Sequence, residues 1–189
     1  QYTNFSMESI ELPFEGNCHL LEEKEVSLIC KIDRNADLIS NCYFCFTLPE
    51  IYVSNNQSKF KWVKNIGTNI IKSTSIYIGG GLIDKHYGEW LNIWKELNLS
   101  DTEKNNYNNL IGNIPQLYDP SIYNNNKYPF SDSHNGFSNN GIIDGCPSIP
   151  EILITVPLCF WFNGNTGLAL PLIAMQYQEI EIHFELRSL

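Results

Sequence analysis

Strict period-two alternation constrains this chain more than any other feature. Between Gln178 and Leu186, the apolar residues Ile180, Ile182, Phe184 and Leu186 alternate with Glu179, Glu181, His183 and Glu185. Successive side chains of a strand point to opposite faces, so the segment predicts a strand with one buried and one solvated side. The same period recurs early on: Val26, Leu28, Cys30 and Ile32 share one face, with Ser27, Ile29 and Lys31 on the other. A polar turn at 33–37 follows. The next strand is expected from about Leu38 to Leu48, with Phe44, Phe46 and Leu48 on one face and Pro49 ending it. Another runs over about Ile70–Ile78. Ile152–Phe162 is apolar on both faces and is expected to be covered on both sides.

The period changes after Gly79-Gly80-Gly81. Tyr87, Trp90, Leu91, Trp94 and Leu97 recur at helical spacing, with Asp84 in an N-cap position. Ser100 and Glu103 have capping-box spacing, which predicts a second short helix to Ile111, ending at Gly112. Two helices between strands read as an insertion in an all-β domain. The stretch 112–150 is rich in Asn, Gly, Ser and Pro and is expected to be a long surface loop. Tyr118, Tyr123, Tyr128, Phe130 and Phe137 are its candidate anchors. Strands of mixed length with turn signals between them favour a β-sandwich or jelly roll.

At 189 residues the chain fits one domain, and 43% hydrophobic against 17% charged residues favours a packed core over disorder. A formal charge of −9 makes it a poor partner for a phosphate backbone, so direct nucleic-acid binding is not expected. No apolar run approaches the roughly 18 residues of a membrane helix, and no signal peptide is visible. The chain lacks an initiator Met, opens inside a structured-looking segment and stops just after a strong strand. Both ends are therefore expected to be cut from a longer protein. The cysteines Cys18, Cys30, Cys42, Cys45, Cys146 and Cys159 fall largely in strand-like runs and are expected to be free thiols of a reducing compartment.

The residues that could carry chemistry do not assemble into a motif. Gly79–Gly81 follows a strand, yet Asp84 falls where a dinucleotide loop needs its third Gly, and no Walker Lys-Ser/Thr is present. Cys42 and Cys45 have Cys-x-x-Cys spacing without a second pair, and Cys18-His19 is isolated. His19, His86, His134 and His183 are scattered, with His86 placed in the first turn of the expected helix. Glu179, Glu181 and Glu185 form an open row, which reads as a solvated face rather than a glycosidase pair. No catalytic, cofactor-binding or metal-binding residue is assigned. Asn4, Asn56 and Asn98 begin Asn-x-Ser sequons, whose use stays open.

Four stretches, in collinear order, carry a family resemblance. The run from Val156 to Tyr177 (Val-Pro-Leu-Cys-Phe-Trp-Phe-Asn-Gly-Asn-Thr-Gly-Leu-Ala-Leu-Pro-Leu-Ile-Ala-Met-Gln-Tyr) resembles a segment of the major capsid proteins of nucleocytoplasmic large DNA viruses. Met175 stands where Leu is usual there, and Ile180 where Val is. The run from Thr3 to Glu11 resembles the family's opening strand, and Ser75–Leu91 its strand-to-helix element. Ile32–Leu38 resembles its Ser-Arg-Asn-Gly-Asp-Leu turn, with Ala36 in place of Gly. The stretch 112–150 carries no such likeness.

The resemblance implies an all-β fold, a jelly roll of about eight strands forming the first half of a double jelly roll, with a short helical insertion. Residues 1–189 would be this N-terminal jelly-roll domain, incomplete at both ends. It implies a structural virion protein, not an enzyme, whose homotrimers form pseudo-hexagonal capsomers of an icosahedral capsid. Expected partners are copies of itself and other capsid proteins, with assembly in the host cytoplasm. Inner-membrane contact, if any, would not involve this segment. Two alternatives stay open: a same-fold scaffold for immature virion membranes, and a jelly-roll carbohydrate-binding module presenting an aromatic platform. The aromatic segment Cys159–Phe162 fits either the centre of a sheet or a contact with a neighbour.

Overall fold

The computed structural model describes residues 4–16, 24–54, 58–130 and 146–188. Their strands are β1 (Val26–Lys31), β2 (Leu38–Ile39), β3 (Tyr43–Leu48), β4 (Ile71–Ile78), β5 (Gly81–Tyr87), β6 (Ile152–Pro157), β7 (Leu170–Pro171) and β8 (Ile180–Leu186). Helices α1 (Ile66–Asn69), α2 (Gly88–Asn98), α3 (Asp101–Leu110), α4 (Pro115–Tyr118) and α5 (Pro120–Tyr123) all lie between β3 and β6.

One layer is a four-stranded antiparallel sheet in the order β1-β8-β4-β5. The two most strictly alternating segments of the sequence are thus hydrogen-bonded neighbours, with Leu28 opposite Phe184 and Cys30 opposite Ile182. Val26, Leu28, Cys30, Ile180, Ile182, Phe184 and Leu186 are buried as their spacing predicts. The opposing layer is built on the β3–β6 pair, with Phe44 opposite Val156 and Phe46 opposite Ile154. Both layers are antiparallel and enclose one hydrophobic core, so the chain is a jelly-roll β-sandwich carrying a short helical insertion.

Aromatic rings fasten the two layers together. Phe44 from β3 stacks on Phe184 from β8 at 4.7 Å between centroids, and Phe14 packs edge-on against Phe184 at 5.6 Å. Full burial of a Phe contributes roughly 1.5–3 kcal/mol, and a well-placed ring pair about 0.5–1.5 kcal/mol more. Phe14 reaches this cluster because Glu15 and Ile29 exchange backbone hydrogen bonds of 2.7 and 3.1 Å along the edge of β1.

Several expectations are corrected. The strand expected over Leu38–Leu48 is two strands, because the chain breaks at 40–42 and the halves pair differently. β2 pairs with β7, and β3 pairs with β6. The helix expected to start after an Asp84 cap starts at Gly88, with Tyr87 as its N-cap. Asp84 and His86 instead lie in β5. The reason is local: Gly79 and Gly80 both adopt positive φ (58° and 79°), the conformation of a tight hairpin turn whose twist matches the flanking strands. That turn folds β5 back on β4, with Ile78 opposite Gly81. The expected strand Ile152–Phe162 ends at Pro157, and it is not covered on both sides. Ile154, Val156, Leu158, Phe160 and Phe162 are buried, while Leu153 and Trp161 are exposed.

The second helix agrees with its signature. Glu103 accepts from Ser100 N at 2.9 Å and from the Ser100 hydroxyl at 2.6 Å, closing the capping box of α3. Within 112–130 the chain forms α4 and α5, each opened by Pro at its first position. Tyr128 is buried, and its hydroxyl accepts from Phe60 N at 3.1 Å and donates to Phe60 O at 2.9 Å. Tyr118 lies under Lys64, whose Nζ stands 4.8 Å from the ring centroid. The Phe130 ring packs at a tilt against Tyr128, 4.9 Å between centroids. Phe137, with Cys18, His19, Asn56 and His134, lies outside the described residues.

Candidate assembly surface

The residues weighed for chemistry do not converge. His183 and Glu181 sit on the outer face of β8, 2.8 Å apart, and the His183 ring packs at a tilt against Tyr77 of β4, 4.3 Å between centroids. Glu185 accepts from the Ser73 hydroxyl at 2.8 Å and faces Lys85 at 3.8 Å. Lys31–Glu15 and Lys72–Glu25 continue this row of ion pairs. Exposed pairs of this kind contribute little individually, because solvent screens them. They make the outer face of the four-stranded sheet a charged wall rather than a row of stacking rings.

On the inner face, His86 Nε2 stands 3.3 Å from Asp84 Oδ2, and its ring stacks on Phe160 at 5.4 Å. This pair packs between layers, on the opposite face of the sheet from Glu181 and His183 and with β4 between the two strands. Cys42 and Cys45 are separated by burial: Cys42 is half-buried and Cys45 exposed. Cys30, Cys42, Cys45 and Cys159 are free thiols. Burial pushes Cys42 and Cys159 up to about 11, and raises Cys30 as well, so these thiols stay protonated and inert at neutral pH. Burial likewise raises the Tyr107 hydroxyl. Among the described residues no three His, Cys, Asp or Glu side chains are grouped to hold a metal. No helix there is long and apolar enough to cross a membrane.

The structure does bring together two stretches whose sequences carried the family likeness. Arg34 donates to Met175 O at 3.0 Å and to Gln178 O at 3.1 Å. Leu172 N and Ile173 N donate to Asp37 O at 2.9 and 3.4 Å, and β2 pairs with β7 alongside. The Ile32–Leu38 turn is therefore clasped by the Leu170–Gln178 segment. Asn163 adds a second tie: it accepts from Phe160 N at 2.9 Å and donates to Ser40 O at 3.2 Å. Both stretches carry the family likeness, yet nothing in the sequence gives Arg34 a role. Its partners are backbone carbonyls more than 140 residues away, and no side-chain pattern announces them.

Large apolar side chains remain outside after the core is filled. Trp161, Leu168, Ile173 and Tyr177 are exposed around the clasp, and Tyr87, Trp90, Ile93 and Leu97 along α2. Of the aromatic segment Cys159–Phe162, which follows the end of β6 and is not the centre of a sheet, Phe160 and Phe162 belong to the core and Trp161 faces out. Isolated exposed apolar residues are ordinary, but grouped ones mark contact surfaces.

Comparison with known proteins agrees with this architecture. The family described as "Major capsid protein N-terminus" matches residues 1–189. The major capsid protein of Phaeocystis pouchetii virus is 36% identical over 197 residues, covering 100% of this chain and 36% of that protein. Capsid protein 1 of Acanthamoeba polyphaga mimivirus is 34% identical over 193 residues, covering 100% of this chain and 29% of the relative. The chain thus spans about a third of the length of these relatives. Among solved structures, a quasi-atomic model of the PBCV-1 virus capsid aligns with a TM-score of 0.67 at 26% identity, over 100% of this chain and 36% of that one. The Faustovirus major capsid protein shares the fold at a TM-score of 0.52 and 12% identity. With every residue of the chain matched and the fold in agreement, the chain belongs to the family of the N-terminal part of the major capsid proteins of nucleocytoplasmic large DNA viruses.

Proposed function

We propose that this chain is the N-terminal jelly-roll domain of a major capsid protein, and that its work is structural. Residues 1–189 form the first roll of a double jelly roll. Three copies of the full-length protein build a pseudo-hexagonal capsomer, and capsomers tile the icosahedral shell of the virion. Assembly takes place in the host cytoplasm. We assign no catalytic, cofactor-binding or metal site to the domain, and expect neither nucleic acid nor membrane among its direct partners.

The observation that carries this reading is the chain-long match to capsid proteins of several large DNA viruses. Its physical counterpart is a cross-tied sandwich that leaves apolar side chains outside a filled core. A shell subunit needs both properties: a rigid body, and self-complementary surface in reserve. The outer face of the four-stranded sheet, lined by Glu181, His183, Glu185, Lys31 and Lys85, suits this better than the aromatic platform of a carbohydrate-binding module.

Quantitative mass spectrometry of purified virions tests the proposal. The protein containing this chain is expected to be the most abundant component, and microscopy should place it in the outer shell. Its absence from mature particles, with presence on immature membranes, would instead identify a scaffold of the same fold.

A further inference from the structure

The clasp is bonded to itself rather than to the layers it lies on. β2 and β7 are two residues each and form a sheet of their own, joined to neither layer. Asp37 O accepts from Leu172 N and Ile173 N, so the main chain of the turn satisfies the main chain of the strap that follows β7. Within the strap, Met175 N donates to Leu172 O at 3.1 Å and Gln178 N to Met175 O at 3.2 Å. Among the described residues, the backbone hydrogen bonds of 33–39 and 170–178 run within these two stretches or between them. Ties to the four-stranded sheet begin just outside both, where Ile32 N donates to Ile180 O and Gly79 N to Glu179 O.

Few side chains hold the clasp down. Leu170 and Leu172 are buried, and Ile39 and Met175 are partly buried against the core. Every residue from Asp33 to Leu38 is exposed, as are Ile173, Ala174, Gln176, Tyr177 and Gln178. The rings that fasten the two layers, Phe14, Phe44 and Phe184, lie elsewhere.

We infer that the 33–40 turn and the 170–178 strap are one conformational unit, which opens as a whole while the sandwich stays folded, and that Arg34 is its lock. Joint opening follows from the bonding. Releasing either stretch breaks the main-chain bonds of both, so neither is held once the other leaves. Segments with few core contacts and solvent-side hydrogen bonds open at lower free energy than core strands. The lock follows from the geometry at the strap's far end. Past Leu172 only Met175 touches the core, and Arg34 Nη2 donates to Met175 O at 3.0 Å and to Gln178 O at 3.1 Å. One nitrogen with two hydrogens thus spans the last turn of the strap, and charge-assisted bonds of this kind are stronger than neutral ones.

The surface changes when the unit opens. Leu38, Ile173 and Tyr177 are exposed on it and Leu168 just before it, Tyr177 at 97%. The clasp sets how these side chains stand relative to one another, so opening rearranges them without unfolding either layer. This depends on the fold alone and not on the capsid reading.

Hydrogen–deuterium exchange of the full-length protein, resolved to single residues by mass spectrometry, is the test. The amides compared are those of β2 and of Leu172, Ile173, Met175 and Gln178. In wild type they are expected to share one protection factor, about tenfold or more below that of β1, β4 and β8. Arg34→Ala should raise exchange at all of them by the same factor, about tenfold. Phe184→Ala weakens the sandwich and should speed exchange in β1, β4 and β8 while leaving the clasp amides unchanged; Phe46→Ala takes its place if that protein does not fold. A rise confined to the strap in Arg34→Ala would overturn joint opening, and no rise would overturn the lock. Clasp amides as protected as the core strands, or accelerated along with them by the Phe substitution, would show that no separate unit exists. Each of these failures leaves the capsid reading intact.

Discussion

Replacing Gly88 by alanine is a sharp probe of how the helical insertion is seated on the sandwich. Gly88 opens α2, where the chain leaves β5, and it is buried against the backbone of α1 and β4. A Cβ there would lie 2.5 Å from Thr68 O and closer still to Ile71 O. Ordinary contact begins near 3.4 Å, so α2 must retreat by about 1 Å. Both obstructing atoms are main-chain, so no side chain can rotate aside. The retreat also drags Leu91, which is fully buried, out of its seat.

Overpacking costs about 1–3 kcal/mol where side chains adjust, and more where only backbone can move. The opposing gain from Ala over Gly in a helix is at most about 1 kcal/mol, and less at a first helical position. A net destabilisation of about 2–4 kcal/mol is expected, or a fall in Tm of roughly 4–16 °C for a domain of this size.

Urea unfolding read by linear extrapolation measures it, with two glycine controls beside it. Gly80→Ala meets no atom within 4 Å but must hold φ near +79°, at a cost of about 1–2 kcal/mol. Gly164→Ala meets no atom either and carries no positive φ, so it should stay within about 0.5 kcal/mol of wild type. A Gly88→Ala protein as stable as wild type would refute the close seating of α2 on α1 and β4.

Three further outcomes follow from the same geometry. Phe184→Ala should cost about 3–5 kcal/mol in urea unfolding, because it empties the ring cluster joining the layers. Phe46→Ala, at a partly buried edge of that cluster, should cost less than half as much. Alkylation at pH 8, followed by mass spectrometry, should label exposed Cys45 well before Cys42 and Cys159, which burial holds at about 11. Equal rates would mean those thiols are open to solvent. Hydrogen bonds from the Ser100 hydroxyl and then its backbone N–H hold the Glu103 carboxyl below the usual range. A depressed folded-state value means the capping box stabilises α3 above the ordinary Glu range, and its contribution is lost as pH falls through the folded value. Carboxyl NMR titration should show that midpoint moving back up in Ser100→Ala; an unmoved midpoint would dissociate Glu103 from its cap.

The existence of β1, β3, β4, β6 and β8, and the facing of β1, β3 and β8, were legible because period-two alternation is a local property, set by the geometry of successive residues. The α3 capping box was legible for the same reason, as both partners lie within one turn. Resemblance over four collinear stretches supplied the family, and with it the expectation of an assembling surface. No local signal gave Arg34 its place in the clasp or showed which apolar residues of α2 would face outward.

Those were decided by pairing between segments far apart in the chain. Gly79 and Gly80 tolerate either a helix entry or a hairpin, and the hairpin prevails because β5 completes a ladder on β4. Leu38–Leu48 has one continuous pattern, yet it splits because β7 and β6 claim different halves. Helical spacing placed Trp90, Leu91 and Trp94 close around α2 but could not choose its inner side. That choice fell to the close approach of Gly88 to Thr68 and Ile71, which seats Leu91 and Lys95 inward and leaves Trp90, Ile93 and Leu97 turned away from the core.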